Sequence, residues 1–419
     1  MSEESTGSRA LRLSATYRGL VSVPGGGRLA AASLLSKLPI NMFSVSTVLL
    51  LSPRYSYSAA GLAVSAMLVA NAVSSPLRGR SADRYPVRTV LAVCLAGYLA
   101  GTAGLMAAVA GRLPLGLVVA SVAMIGLCFP PVSILLRGYW VAVAGERMRV
   151  PANSLESALM DVTLITGPVS ATWLSTSASP FAPFMVTSVL MALAVTVLPS
   201  PRGTSGAART DAGDWLRPLR SRPLLCVLAA MFLFCAALST IEVVLPVYAQ
   251  QHHVVGYSGW FLGGLSVGSI VGALVLGAVP SPPRLMLPAL LGVFVAGACL
   301  LGFAMTVGPV LVLVVCPLTG LAIGSSFGHL YTAVGTMGPS GCENETQGWA
   351  TSCSTAGFAA GAAAGAAVAD VAGAPAFLLL TPATAVAAAL FVLGGIRAGT
   401  APTAPALPQP SSDESELRS

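Results

Sequence analysis

Twelve apolar stretches of roughly 18 to 26 residues follow one another from Leu29 to Ile396, and at about 1.5 Å per residue each is long enough to cross a bilayer as a helix. Such a chain has lipid for a solvent, where only segments that satisfy their own backbone hydrogen bonds can span. The expected spans in the first half are Leu29–Leu51, Ala59–Leu77, Val87–Ala110, Leu113–Leu136, Ala152–Thr176 and Phe181–Leu198. Those in the second are Leu224–Tyr248, Ser258–Val279, Leu285–Val307, Pro309–Val334, Gly348–Val371 and Ala374–Ile396. Composition agrees: 55% of the 419 residues are hydrophobic and 9% are charged, too few polar groups to wrap a soluble core of this size.

Orientation follows from the arginines, because short loops rich in Lys and Arg stay on the cytoplasmic side. With the amino terminus inside, the inner segments hold nearly all of them, and only Arg54 and Arg112 fall outside. The net charge of +7 is therefore a topology signal and gives no support to nucleic-acid binding, which calls for a basic face with interleaved aromatics. The first 28 residues contain Arg9, Arg12, Arg18 and Arg28 but no apolar run of the signal-peptide kind, so the amino terminus is expected to be retained. Both termini are then cytoplasmic, and low lysine beside abundant Arg, Ala and Gly hints at a bacterial inner membrane. The cysteines show no metal-ligand or redox spacing and read as small apolar packers.

The chain divides in two. Pro199 to Arg222 is polar and rich in Pro, Gly, Ser and Arg, with six spans on either side. The expected organisation is a cytoplasmic segment 1–28, a six-helix bundle 29–198, a linker 199–223, a second bundle 224–396 and a disordered cytoplasmic tail 397–419. Two similar six-helix halves around a midplane cavity are typical of secondary transporters.

The sharpest local signal is Gly79-Arg80-Ser81-Ala82-Asp83-Arg84-Tyr85-Pro86-Val87-Arg88, between the second and third spans. It resembles motif A of the major facilitator superfamily, G-x-x-x-D-(R/K)-x-G-x-(R/K), with Pro86 in place of the second glycine. The resemblance implies an all-α fold of twelve transmembrane helices in two pseudo-symmetric bundles. It also implies roles for Gly79 in a close backbone approach, for Asp83 at a helix amino terminus or an arginine, and for Arg84 and Arg88 at the membrane surface. Gly167-Pro168 in the fifth span resembles motif C of drug and proton antiporters in diluted form, and reads equally as a helix-packing kink. Gly361 and Gly365 make a G-x-x-x-G spacing suited to a sliding interface between the halves.

Ionisable groups inside lipid are costly, so each one is a candidate for cargo or proton handling. Lys37 and Asp161 lie at matching depth, roughly 12 and 13.5 Å from the inner ends of their expected spans. Two readings stay open for Lys37: an ion pair with Asp161, which the resemblance implies is possible by placing the first and fifth spans at the central cavity, or a stem that snorkels to the inner surface. Glu156 is placed to pair with Arg137. Glu242, near the outer end of the seventh span, is either a proton-coupling carboxylate or a solvated group at the outer mouth. Asn41 and Asn71 are candidates for cargo hydrogen bonds, and Trp140, Trp173, Tyr248 and Trp260 for interfacial anchors. The resemblance implies that the motif loop and the acidic loop with Glu343 and Glu345 meet across the halves on the inner face, where their charges are expected to attract and close a gate.

The expected function is secondary active transport of a small organic molecule by alternating access, as proton-coupled efflux, with proton-coupled uptake of a metabolite as the alternative. A membrane enzyme would show clustered His, Asp or Glu at one face, and a sensor a soluble signalling domain; neither feature is present in the sequence. No enzymatic activity, cofactor, metal or nucleic-acid partner is expected, and without G-x-x-x-x-G-K-(S/T) the chain itself does not use ATP as the driver. The expected partners are the cargo, protons and the bilayer, with the monomer as the working unit.

Overall fold

The computed structural model describes residues 15–198, 217–279, 283–371 and 373–399. The outer parts of the expected amino-terminal segment and tail, and most of the linker, lie outside them. A helical stretch over residues 15–22 precedes thirteen helices, and no strand occurs among the described residues. The amino-terminal half contains α1 (Gly26–Leu51), α2 (Tyr57–Arg84), α3 (Val87–Ala110), α4 (Leu115–Leu127), α5 (Val132–Ala144), α6 (Arg149–Ser177) and α7 (Ala182–Val197). The carboxy-terminal half contains α8 (Arg222–Gln251), α9 (Ser258–Gly277), α10 (Pro283–Val307), α11 (Pro309–Met337), α12 (Glu343–Val371) and α13 (Gly373–Gly399). By length and composition, eight membrane crossings qualify among the described residues, one of them α4 and α5 together. Neither α6 nor α12 reaches that apolarity, because both carry polar side chains toward the opposite half.

The fourth expected span, Leu113–Leu136, is corrected by the structure into two helices and a longer crossing that ends at Ala144. Pro130 and Pro131 cause the break, since neither has an N–H to donate and each disfavours a helical conformation in the residue before it. The Phe129 carbonyl freed at this break accepts a hydrogen bond from Arg78 of α2. The α2 helix, with its amino terminus capped by Ser56 Oγ accepting from the Ala59 N–H at 3.0 Å, also outruns its expected end at Leu77. Arg78 and Arg80 within that extension are buried.

Glycine lets helices approach closely within each half. Gly264, Gly268 and Gly272 of α9 face Pro317 and Leu321 of α11, while Gly320 and Gly324 of α11 face Leu265 and Ser269 of α9. A methyl group at Gly268 or Gly272 would overlap the carbonyl oxygen of Pro317 or Leu321. The expected sliding role for Gly361 is corrected likewise: it lies against Ala236 of α8, and Gly365 against Thr240 and Val243, all in the same half. Spacing reveals that two backbones meet, but not which two.

The two halves meet at one end, called here the basic end because Arg78, Arg80, Arg84, Arg88, Arg147, Arg149, Arg217 and Arg220 cluster there. Asn153 Nδ2 of α6 donates to Thr332 Oγ1 of α11 at 2.9 Å. Ser352 Oγ of α12 donates to the Ala72 carbonyl of α2, and Gly348 of α12 faces Ser75 and Pro76 of α2. Tyr17, ahead of α1, donates to the Leu274 carbonyl of α9 at 2.9 Å. Among the described residues, no hydrogen bond joins the halves at the opposite end, where Val169 and Trp173 of α6 and Trp260 of α9 are exposed.

Candidate functional site

A polar layer lies about 10 Å in from the basic end, judged from the helical rise to Glu156 and Arg137. Glu156 of α6 is buried and both its oxygens are occupied. Oε2 takes the Lys37 ammonium of α1 and the Ser33 hydroxyl at 2.8 Å, and Oε1 accepts from Trp140 Nε1 of α5 at 2.9 Å. Lys37 Nζ also contacts Ser33 Oγ at 2.5 Å. The expected Lys37–Asp161 pair is thereby corrected to Lys37–Glu156. Side chains lean toward their helix amino terminus, which for α1 is the basic end, so Lys37 reaches back past Asp161 to the carboxylate roughly 7.5 Å closer to that end. Arg137 is not Glu156's ion-pair partner either: its Cζ sits 3.2 Å from the ring centroid of Tyr331 on α11. Trp140 is correspondingly a buried hydrogen-bond donor and no interfacial anchor, and Tyr248 is buried as well. Trp173 and Trp260 are exposed near helix ends, as anchors are.

Further from the basic end, Asp161 of α6 accepts a hydrogen bond from Ser269 of α9 at 2.6 Å, joining the halves. Glu242 of α8 is half-buried, has no hydrogen bond or ion pair among the described residues, and lies within electrostatic reach of Asp161. Asn41 Nδ2 of α1 donates to Thr163 Oγ1 of α6 at 2.8 Å, and its Cβ fills the space over Gly167. Gly167 thus serves helix packing, and α6 remains helical through Pro168. Asn71 is drawn away from the cavity: its Oδ1 and carbonyl accept from Arg78 Nη2 at 2.6 and 3.0 Å. The seven-residue spacing between Asn71 and Arg78, two turns along one helix face, was a readable signal for that pairing.

At the basic end, α2 meets the start of α12. Asp83 caps that start: Oδ1 accepts from the Asn344 N–H at 3.1 Å and from Asn344 Nδ2 at 2.7 Å, and Oδ2 from the Glu345 N–H at 2.9 Å. Backbone donors left over in the first turn of one half are thus satisfied by a carboxylate of the other, placed where the helix dipole favours an anion. Arg80 lies 3.7 Å from Glu345, and a methyl group at Gly79 would overlap the Asn344 carbonyl oxygen. Arg84 and Arg88 are exposed. The two acidic residues divide their roles, since Glu343 is exposed and its Oε1 accepts from the nearby Gly341 N–H at 3.0 Å. Because Arg80 and Glu345 are both buried, Glu345→Gln is expected to raise the population open at the basic end by about tenfold or more, while Glu343→Gln leaves it unchanged. Thiol labelling of cysteines introduced into the cavity reads this directly, and equal responses from the two variants would contradict the division.

Two helical bundles joined at the basic end, with a buried ion pair inside one of them and the Asp161–Ser269 hydrogen bond between them, make a polytopic membrane protein with polar side chains gathered at its centre. The chain belongs to the major facilitator superfamily, whose family model matches residues 29–362. It is thus a multi-pass membrane transporter of a small molecule. Its fold is similar to that of the human organic anion transporter MFSD10 (TETRAN), with 17% identity over 90% of this chain and 99% of that one and a TM-score of 0.72. A bacterial homologue of the iron transporter ferroportin, in an outward-facing state, has 16% identity over 89% and 99% with a TM-score of 0.75. A variant of the E. coli fucose:proton symporter FucP has 15% identity over 90% and 99% with a TM-score of 0.70. No curated protein sequence matches.

Proposed function

We propose that this protein is a proton-coupled exporter of a small organic molecule, working as a monomer in a bacterial inner membrane with both termini in the cytoplasm. The basic end is then cytoplasmic by the positive-inside rule, and the conformation described is outward-facing. The observation that carries the coupling is Asp161, a carboxylate on one half held by Ser269 of the other, with Glu242 of that other half near it. Opening the basic end separates α6 from α9 and breaks the Asp161–Ser269 hydrogen bond, so the bond exists in one state and not the other. A proton arriving at this pair therefore biases one state over the other, which is what coupling requires. The structural relatives carry unlike cargoes and do not select one.

Asp161→Asn and Glu242→Gln are each expected to abolish transport driven by a proton gradient while leaving counterflow exchange of cargo intact. Full gradient-driven activity in both variants would remove these residues from coupling. The efflux direction predicts that expression raises the resistance of a susceptible strain to toxic organic compounds, whereas an importer raises sensitivity.

A further inference from the structure

The polar layer contains two cations and one carboxylate. Glu156 spends both oxygens on Lys37, Ser33 and Trp140, which leaves Arg137 without an ion pair or a hydrogen bond among the described residues. Its Nη1 is buried with no partner, and the residue as a whole is half-buried. An orphaned guanidinium donor is costly inside a membrane, and its surroundings supply only the Tyr331 ring beneath it and, beyond ion-pair distance, the Glu156 carboxylate whose oxygens are already taken. A guanidinium is a planar fork of donors matched to a carboxylate.

A row of rings leads away from this fork. Tyr331 stacks on Phe327 with centroids 6.4 Å apart and planes at 20°, and Phe327 on Phe358 at 6.4 Å and 14°. Both phenylalanines are half-buried. Arg137 comes from α5 of one half and the rings from α11 and α12 of the other, so the row meets the opposite half where Arg137 lies on Tyr331, and Phe327 also packs on Phe234 of α8. We propose that Arg137 is the recognition point for the cargo's charged group. The cargo is then an amphipathic organic anion, its carboxylate on the Arg137 fork and its flat apolar body along Tyr331, Phe327 and Phe358. This assignment rests on the transporter reading above and names its class of cargo.

The test uses the purified full chain in nanodiscs, with thermal stabilisation measured against 2-naphthoate, 4-phenylbenzoate and indole-3-acetate, each beside its uncharged amide. At least one acid is expected to stabilise the protein saturably with at least tenfold tighter apparent affinity than its amide. Arg137→Gln should erase that difference, and Arg137→Lys, which keeps the charge but loses the fork, should retain part of it. Should Arg137→Gln fail to fold, Phe358→Ala decides, with affinity for the acid expected to fall several-fold while the acid-over-amide preference stays. Acids and amides that bind alike, or not at all, overturn the assignment, as does an Arg137→Gln protein that binds the acid like the wild type. Transport is scored separately on the wild type: no acid-over-amide preference with gradient-driven transport intact sinks the cargo class alone, and an acid-over-amide preference without gradient-driven transport supports the site while sinking the coupling.

Discussion

Glu156→Gln is expected to be the most damaging single neutralisation in the membrane-embedded part of this protein, costing about 3–5 kcal/mol, the range for removing one partner of a buried ion pair. The reason is asymmetry. With Glu156 neutral, Lys37 and Arg137 are two like charges in one buried layer with no carboxylate between them. With Lys37→Met, Glu156 still has Trp140 and Ser33 as donors and Arg137 within electrostatic reach. The lysine variant should therefore be clearly the milder of the two. The double variant Lys37→Met with Glu156→Gln should recover part of the loss, because it leaves one cation where the single Glu156→Gln leaves two. Thermal unfolding of the three proteins closes the cycle, and additive losses would show that the two residues act independently.

Much of the fold could be read from the chain because lipid imposes a simple rule: a crossing must be apolar and long. That rule fails where charges are satisfied inside the protein. Hydropathy ends the second span at Leu77, yet the helix continues to Arg84 because Arg78 bonds to Asn71 and Phe129, and Arg80 to Glu345. Pro130 and Pro131 were visible in the middle of an expected span, and the missing N–H groups of two consecutive prolines locate the break that hydropathy passes over.

The site was legible in its ingredients and less so in its pairings. Depth along a helix follows from counting residues, which puts Lys37 inside α1 and Glu156 and Asp161 inside α6. Which face each residue points from, and which way its side chain leans, depends on helix packing that no local spacing records. Lys37 thus met Glu156 in place of Asp161, and Trp140 turned inward to the same carboxylate. The cap from Asp83 to the start of α12 was more accessible, since an acidic residue in the motif loop and the free N–H groups of a helix start on the same side of the membrane are complementary by charge alone.

Glycines at two kinds of interface should respond differently to the same substitution. Gly268 and Gly272 lie between α9 and α11 of the same half, a contact that the proposed mechanism leaves intact, so Gly268→Leu or Gly272→Leu overpacks it in either state. The expected result is lost stability of about 1–3 kcal/mol or more, and poor yield, whichever way the cavity faces. Gly79 and Gly348 lie between α2 and α12, which belong to different halves and, on the proposed mechanism, separate when the basic end opens. Gly79→Leu therefore meets its clash with the Asn344 carbonyl only in the closed state, and the open state escapes it. A penalty of about 1–3 kcal/mol confined to one state shifts the equilibrium by roughly 5- to 150-fold toward opening at the basic end, with each half still folded. Cavity cysteines should then label faster from the basic side, and the Asp83 cap should no longer contribute to the conformational balance, so that Asp83→Asn added to Gly79→Leu changes little further. A Gly79→Leu protein that loses stability as Gly272→Leu does, without gaining label, would mean that α2 and α12 form a fixed contact and that the halves part along some other seam.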